Sequence, residues 1–254
     1  MLLAFDVGNT QTVAGLYEGE RLVEHWRTAS VRSSTADELA VELSGLLHLR
    51  DCSFADVSAT VASSGIPQLA VEIAAMARTH LGHEALLVGP GVRTGLPLLV
   101  DNPHEVGPDR VANCVAALAL HAGPLVVVDF GTAINFDAVS AAGEFVGGAI
   151  APGLEVSVNA LGERAARLFR IELSAPDQAI GRNTAENMRS GAIYGFSGLV
   201  DGLVGRFAAE LGGGLHVIAT GGLAGVMAPH CARIDQVEPW LTLDGLRLIW
   251  ERNR

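Results

Sequence analysis

The residues most able to do chemistry lie in two short acidic turns of nearly the same composition. The first turn is Asp6-Val7-Gly8-Asn9-Thr10, and the second is Asp129-Phe130-Gly131-Thr132-Ala133. Glycine lets a backbone approach phosphate oxygens closely, and the neighbouring amides and hydroxyls can donate hydrogen bonds to them. Two carboxylates would repel a bare polyphosphate, so Asp6 and Asp129 are predicted to bind cations, directly or through water.

The sequence that follows each acidic turn also repeats. Residues 12–17 and 21–26 surround a short turn, as do residues 135–140 and 144–150, and both pairs indicate β-hairpins. A single aspartate-glycine turn is as readily a plain strand end, whereas two copies with matching hairpins favour a phosphate site. The repeat therefore predicts two similarly folded halves whose turns converge on one nucleotide cleft.

The hydrophobic pattern predicts the same order of elements in both halves. The predicted strands are 2–7, 12–17, 21–28, 57–63, 85–88, 125–129, 134–140, 144–150 and 215–219; the predicted helices are 36–49 (capped by Thr35), 68–81, 108–120, 153–167, 184–211, a short one after residue 222, and 241–253. The expected fold is α/β, with two ribonuclease-H-like domains of a duplicated β-β-β-α-β-α-β plan flanking a nucleotide cleft. We expect domains at 1–117 and 118–254, with the terminal helix packing back on the first.

Composition narrows the possible functions. The 254 residues are 49% hydrophobic, which is enough for one large or two modest cores. No segment approaches the roughly 18 uninterrupted apolar residues of a membrane span, and Asp6 interrupts the first apolar run, which argues against a signal peptide. Three dispersed cysteines predict free thiols in a reducing compartment.

The charged residues set further limits on the site. A net charge of −11 argues against nucleic-acid and anionic-membrane partners. All 17 basic residues are arginine, so a Walker A loop and Schiff-base chemistry, which both need lysine, are excluded. A nucleotide site in this chain must therefore use backbone amides, hydroxyls, arginine and a metal ion.

A second cluster, Gly107-Pro108-Asp109-Arg110, stands at a predicted helix start. The helix dipole stabilises an ionised carboxylate there, so Asp109 could accept a hydroxyl proton while Arg110 holds an anionic group. The alternative is an ordinary helix-start aspartate beside a surface arginine. The turn Thr220-Gly221-Gly222 could line an adenine or ribose pocket or be a plain glycine turn, and Thr184 could be no more than a helix cap.

Taken in order, these motifs resemble those of the type III pantothenate kinases, a family of the actin, heat-shock chaperone and sugar-kinase superfamily. The similarity spans nearly the whole chain. The matching segments are the phosphate motifs at 6–13 and 129–133, the G-x-D-R motif at 107–110, the G-x-N-T motif at 181–184, and the segment 91–97.

The resemblance implies a role for each motif. Asp109 would be the catalytic base, and pantothenate would contact Gly107, Pro108, Asp109, Arg110 and Thr184. ATP would contact Asp6, Val7, Gly8, Asn9, Thr10, Gln11, Thr12, Val13 and Thr132. From the turns themselves, and not from the resemblance, we add Gly131 to the phosphate contacts and place Gly221 and Gly222 beside the nucleoside. Asp129 would bind a monovalent cation (K⁺ or NH₄⁺), and Asp6 would hold Mg²⁺ through water. Family members are dimers that catalyse the first step of coenzyme A synthesis in the bacterial cytoplasm.

Three positions depart from the family pattern. Asn135 replaces a threonine, Val100 replaces a tyrosine beside the substrate, and Pro108 replaces a commoner small residue.

Two other functions stay open. Some relatives are accessory regulators of transcription, but the retained aspartates and Thr184 argue against that reading. The third reading is a superfamily kinase or phosphatase that acts on another small alcohol or its phosphate.

Overall fold

A computed structural model describes residues 1–164 and 171–254, which form two compact units. The first unit contains Met1–Leu96, Asn102–Ala116 and Leu241–Arg254, and the second contains Pro97–Asp101 and Ala117–Trp240. Within the described residues, no helix is both long enough and apolar enough to cross a membrane.

The elements follow the predicted order along the chain. In sequence they are β1 (Leu2–Val7), β2 (Gln11–Glu18), β3 (Arg21–Ala29), α1 (Ala36–His48), β4 (Ala59–Ser64), α2 (Pro67–Met76), β5 (Ala85–Leu87), α3 (Pro108–Leu120), β6 (Leu125–Phe130), β7 (Ala133–Val139), β8 (Phe145–Pro152), α4 (Leu154–Arg164), α5 (Thr184–Glu210), β9 (His216–Thr220), α6 (Ala224–Met227), β10 (Gln236–Val237) and α7 (Leu241–Glu251). The predicted α/β class is confirmed, with two five-stranded sheets.

The sheet of the first unit has the order β3-β2-β1-β4-β5, with β1 antiparallel to β2 and parallel to β4. Side chains alternate along β1, so Leu3, Phe5 and Val7 join the core formed with α1 and α2. The intervening residues, including Ala4 and Asp6, therefore lie on the opposite face. Helix α7 packs against β1, β2 and β4.

The sheet of the second unit repeats this arrangement with the order β10-β9-β6-β7-β8. Here β6 is antiparallel to β7 and parallel to β9, as β1 is to β2 and β4. Val126, Val128 and Phe130 enter a core with residues of α4 and α5. By alternation Asp129 lies on the other face, so the two aspartates occupy corresponding strand positions.

Several predicted boundaries were wrong for local reasons. The helix predicted over 68–81 is α-helical to Met76 and continues as a π-helical turn at Ala77–Leu81, which ends at Gly82 with φ +76°. A 3₁₀ turn at Phe54–Asp56 delays β4 to Ala59. Strand β10 was not predicted, because two residues are too few to show a period of two.

Two other predictions concern helix ends. The predicted Thr35 cap of α1 is confirmed as a capping box with Glu38. The last residues of the helix predicted over 153–167 lie outside the described residues. Helix α7 ends at Glu251, and beyond it Asn253 pairs with the main chain of Arg93, accepting from its N–H at 3.1 Å and donating to its carbonyl at 2.9 Å.

Candidate active site

Asp6 lies near the end of β1, where its neighbours control its charge. In the sheet it is opposite Val13 on β2 and Ser63 on β4. The fully buried Ser63 hydroxyl donates to Asp6 Oδ1 at 2.8 Å. Burial raises the pKa of Asp6 to about 7, the Asp109 carboxylate adds to the rise, and the hydrogen bond from Ser63 opposes it. A cation near Asp6 would therefore strongly favour the ionised form of its carboxylate.

Asp109 lies in the first turn of α3, as predicted, close enough to act on the charge of Asp6. Gly107 precedes the helix, and its carbonyl accepts from the N–H of Val111 at 3.1 Å. A Cβ on Gly107 would overlap Asp109 Oδ1, so this glycine leaves room for the carboxylate. Pro108 occupies the first helical position and Arg110 follows Asp109, both partly exposed.

The turn between β1 and β2 presents the residues predicted to bind phosphate. The N–H of Gly8 donates to the carbonyl of Gln11 at 3.0 Å, which closes the turn. Asn9 and Thr10 are exposed at its tip, and Gln11 is exposed at the start of β2. Val7 is buried, and Thr12 and Val13 are partly exposed in the hairpin. The turn thus presents exposed polar residues at its tip, while the side chain of Val7 belongs to the core.

Two arginines at this turn were missed by the sequence analysis. Arg32 Nη2 donates to Asn9 Oδ1 at 2.9 Å, and Arg27 Nη1 donates to Gln11 Oε1 at 3.1 Å. Both arginines are exposed. Each lies sixteen or more residues along the chain from its partner, so no local motif could have revealed the contact.

In the second unit Asp129 occupies the position on β6 that Asp6 has on β1. It is opposite Asn135 on β7 and Thr220 on β9. The N–H of Gly131 donates to the carbonyl of Ala133 at 3.0 Å, which closes the second acidic turn. Asn135, the departure from the family pattern, is thus a direct cross-strand neighbour of Asp129.

Two glycines pack the backbone closely around this second turn. A Cβ on Gly221, which has φ +93°, would overlap Asp129 Oδ1 and lie 2.7 Å from the main chain of Phe130. The N–H of Gly153 donates to the carbonyl of Thr132 at 3.1 Å, and a Cβ there would overlap that carbonyl. The structure therefore brings Asp129, Gly131, Thr132 and Gly221 together at the end of β6, with Gly222 exposed beside them.

The remaining predicted substrate residues have mixed outcomes. Thr184 is the first residue of α5 and exposed, but the helix cap is Asn183, whose side chain accepts from the N–H of Glu186 at 3.0 Å. The reading of Thr184 as the cap was therefore wrong, because an asparagine one residue earlier fills that place. Val100 lies near Gly147 of β8, where an added Cβ would be 4.0 Å from Val100 Cγ1.

The donor set limits how a metal could be held. Among residues 1–164 and 171–254, no three histidine, cysteine, aspartate or glutamate side chains are grouped to hold a metal ion. Asp6 nevertheless fits a cation, because burial and the charge of Asp109 disfavour its ionised form unless a positive charge is near. Mg²⁺ commonly binds one or two carboxylates together with water and substrate phosphates, and this arrangement suits such binding.

Comparisons with known proteins identify the family of this chain. The family model for type III pantothenate kinase matches residues 2–206. A type III pantothenate kinase of Thermobifida fusca is 51% identical, with 100% of both chains covered.

Two solved structures show the fold. One is from Campylobacter jejuni and is described as a Baf family transcriptional activator; it has a TM-score of 0.64 and 18% identity, covering 99% of this chain and 98% of its own. An inorganic polyphosphate/ATP-glucomannokinase of an Arthrobacter species has a TM-score of 0.52 and 14% identity, with 100% and 99% covered. At these identities the two structures support the fold alone. The family model and the full-length identity to the T. fusca protein show that the chain belongs to the type III pantothenate kinase family.

Proposed function

We propose that this chain transfers the γ-phosphate of ATP to the primary hydroxyl of pantothenate, the first step of coenzyme A synthesis. Membership of the family supports the kinase activity and the substrate. The observation that carries the proposal is the pair formed by Asp6 and Asp109, one at a strand end and one at a helix start, close enough to interact electrostatically.

In this proposal Asp109 is the catalytic base. It accepts the proton of the pantothenate hydroxyl as that hydroxyl oxygen bonds to the γ-phosphorus of ATP. At the same time the bond between the γ-phosphorus and the oxygen bridging to the β-phosphate breaks, and ADP leaves. The transition state is loose, so an ordinary carboxylate is a sufficient base and most of the rate comes from positioning and charge neutralisation. Arg110 binds the pantothenate carboxylate, and Thr184 donates a hydroxyl hydrogen bond.

The two acidic turns hold the nucleotide. The exposed residues Asn9, Thr10 and Thr132 donate to the phosphates, while Gly8 and Gly131, whose own amides close the two turns, let the backbone approach the phosphates closely. Gly221 and Gly222 lie beside the nucleoside. Mg²⁺, when bound, neutralises phosphate charge. Asp6 would hold this metal through water, and Asp129 would hold a monovalent cation, K⁺ or NH₄⁺.

The assembly and compartment are further parts of the proposal. We expect a homodimer, in keeping with the family. The apolar residues of α5 serve their own core, whereas Ile150 on the edge strand β8 is 65% exposed, which favours β8 as the paired surface. We place the enzyme in the cytoplasm, in keeping with the family. The net charge of −11 argues against nucleic-acid and anionic-membrane partners.

An ATP-consumption assay with pantothenate, with and without potassium, tests the activity. Asp109→Asn should lower turnover by roughly 10²-fold or more while pantothenate still binds, because the amide cannot accept the proton. Asp101→Asn, an exposed aspartate ahead of the motif, is the matched control and should keep the parental rate.

The other readings are outcomes of the same assay. Near-normal turnover by Asp109→Asn would remove Asp109 from its role. Turnover with a different alcohol but not with pantothenate would favour another superfamily kinase. Failure with every alcohol, together with binding to a protein partner, would favour an accessory regulator of transcription.

A further inference from the structure

Helix α7 packs against α3, the helix that carries Asp109, through a glycine in direct contact with the α3 main chain. Gly245 of α7 is buried, and a Cβ at this position would overlap the carbonyl oxygen of Ala112 and lie 2.9 Å from its Cα. Ala112 is three residues after Asp109, or about 4.5 Å along α3. The glycine therefore sets how closely α7 can approach the first turns of α3.

A buried hydrogen bond fixes the same contact. Thr242 Oγ1 donates to Asn113 Oδ1 at 2.7 Å, and Asn113 is completely buried. Burial makes this bond costly to lose, because the asparagine oxygen would be left without this donor and shielded from water. The two helices are thus held in a defined register as well as at a defined separation.

The other side of α7 is attached to the sheet that carries Asp6. The buried Tyr17 donates its hydroxyl to Asp244 Oδ1 at 2.8 Å. Leu243 packs onto Gly15, where a Cβ would lie 2.7 Å from Leu243 Cδ1. Gly15 is opposite Ala4 of β1, so these contacts connect α7 to the strand that holds Asp6.

We infer that Gly245 is a positioning residue for the reaction, acting through α3 to set where the Asp109 carboxylate lies relative to Asp6. The inference rests on the proposed role of Asp109. A methyl group at residue 245 would push α3 away from α7, and a helix moves largely as a rigid body over one turn. Misplacing a reacting group by about 1 Å can cost about 10²-fold in rate.

The test compares Gly245→Ala with Gly45→Ala, which places the same methyl group on α1 with no atom within 4 Å. At a temperature well below unfolding, Gly245→Ala should lower kcat/KM for pantothenate by about 10-fold or more and leave KM for ATP within about 3-fold. Gly45→Ala should retain the parental constants. A folded Gly245→Ala enzyme with parental constants, even if less heat-stable, would overturn the inference.

Hydrogen exchange supplies a readout that does not depend on activity. Amides in the first turn of α3 should exchange faster in Gly245→Ala than in the parent or in Gly45→Ala. An inactive parent would reject the proposed function, whereas unchanged exchange would reject the inference about Gly245. The two failures are therefore distinguishable.

A milder change covers the case in which Gly245→Ala does not fold. Thr242→Val keeps the side-chain shape but removes the donor to Asn113, and should reproduce the pantothenate effect at about 3-fold or more. Thr242→Ser restores the hydroxyl and should recover most of the rate. Parental constants in Thr242→Val would count against α7 as the positioning element.

Discussion

Asp6 and Asp129 occupy the same place in two sheets, yet their surroundings differ. Each lies near the end of a central strand, and each is opposite a buried hydroxyl residue on the parallel neighbour: Ser63 in one unit and Thr220 in the other. Around Asp6 the close groups are the Ser63 hydroxyl and the charge of Asp109. At Asp129 the backbone of Gly221 packs so closely that a Cβ there would overlap Oδ1. The repeated backbone therefore packs the main chain of Gly221 against one carboxylate and places the charge of Asp109 near the other.

The largest expected effect comes from the glycine that encloses Asp129. Gly221→Ala adds a methyl group that overlaps Asp129 at a positive φ, so it should lower Tm by about 5–10 °C and raise KM for ATP by about 10-fold. Gly65 follows strand β4, as Gly221 follows β9, but a Cβ on Gly65 would lie 3.7 Å from its nearest atoms. Gly65→Ala should therefore change Tm and KM for ATP little. Equal effects in thermal-shift and kinetic assays would mean that the two turns are packed alike.

The next prediction concerns the charge of Asp6 in the ligand-free protein. Its pKa is raised from 3.8 to about 7, so the folded state holds a proton that the unfolded state releases between these values. The unfolding free energy should therefore fall as pH rises from about 4 to 7 and level off above 7. Asparagine does not titrate, so Asp6→Asn should not lose stability in this way. The unfolding free energy of the variant relative to the parent should therefore increase between pH 4 and pH 7.

The size of this effect is modest because Asp6 is partly exposed. By pH 8 the variant should be more stable than the parent by about 1–3 kcal/mol, while its turnover is severely reduced. Denaturant unfolding at pH 5 and pH 8 measures the difference. If the difference in unfolding free energy between variant and parent were the same at pH 5 and pH 8, Asp6 would already be ionised at pH 5.

The smallest expected effect concerns the arginines of the first turn. Arg32→Gln removes a positive charge beside Asn9 and should raise KM for ATP by about 3- to 10-fold with kcat nearly unchanged, because one of the two arginines at the proposed phosphate turn is lost. Arg21→Gln removes an exposed charge that pairs with Glu18 in the same hairpin and is the control. A similar KM in both variants would show that overall charge, and not the place of Arg32, governs the affinity.

Local patterns predicted the strands and the acidic turns because their signals are short-range. Apolar runs ending in Asp6 and Asp129 specify strand ends, and Pro108 specifies a helix start. The partners of these residues were not predictable. Ser63 meets Asp6 through the register of two strands distant in sequence, and Gly245 reads in the sequence as no more than a poor helix former. Its value lies in a contact with Ala112, which packing alone reveals.

Helix α7 also has a consequence for biosynthesis. The first unit is interrupted in the chain by the whole of Ala117–Trp240, and α7 returns to it afterwards. During translation the strand carrying Asp6 and the helix carrying Asp109 leave the ribosome long before Gly245 is made. The contacts that fix their mutual placement therefore form late, between segments far apart in sequence, and a nascent chain should gain catalytic competence only after its last helix has docked.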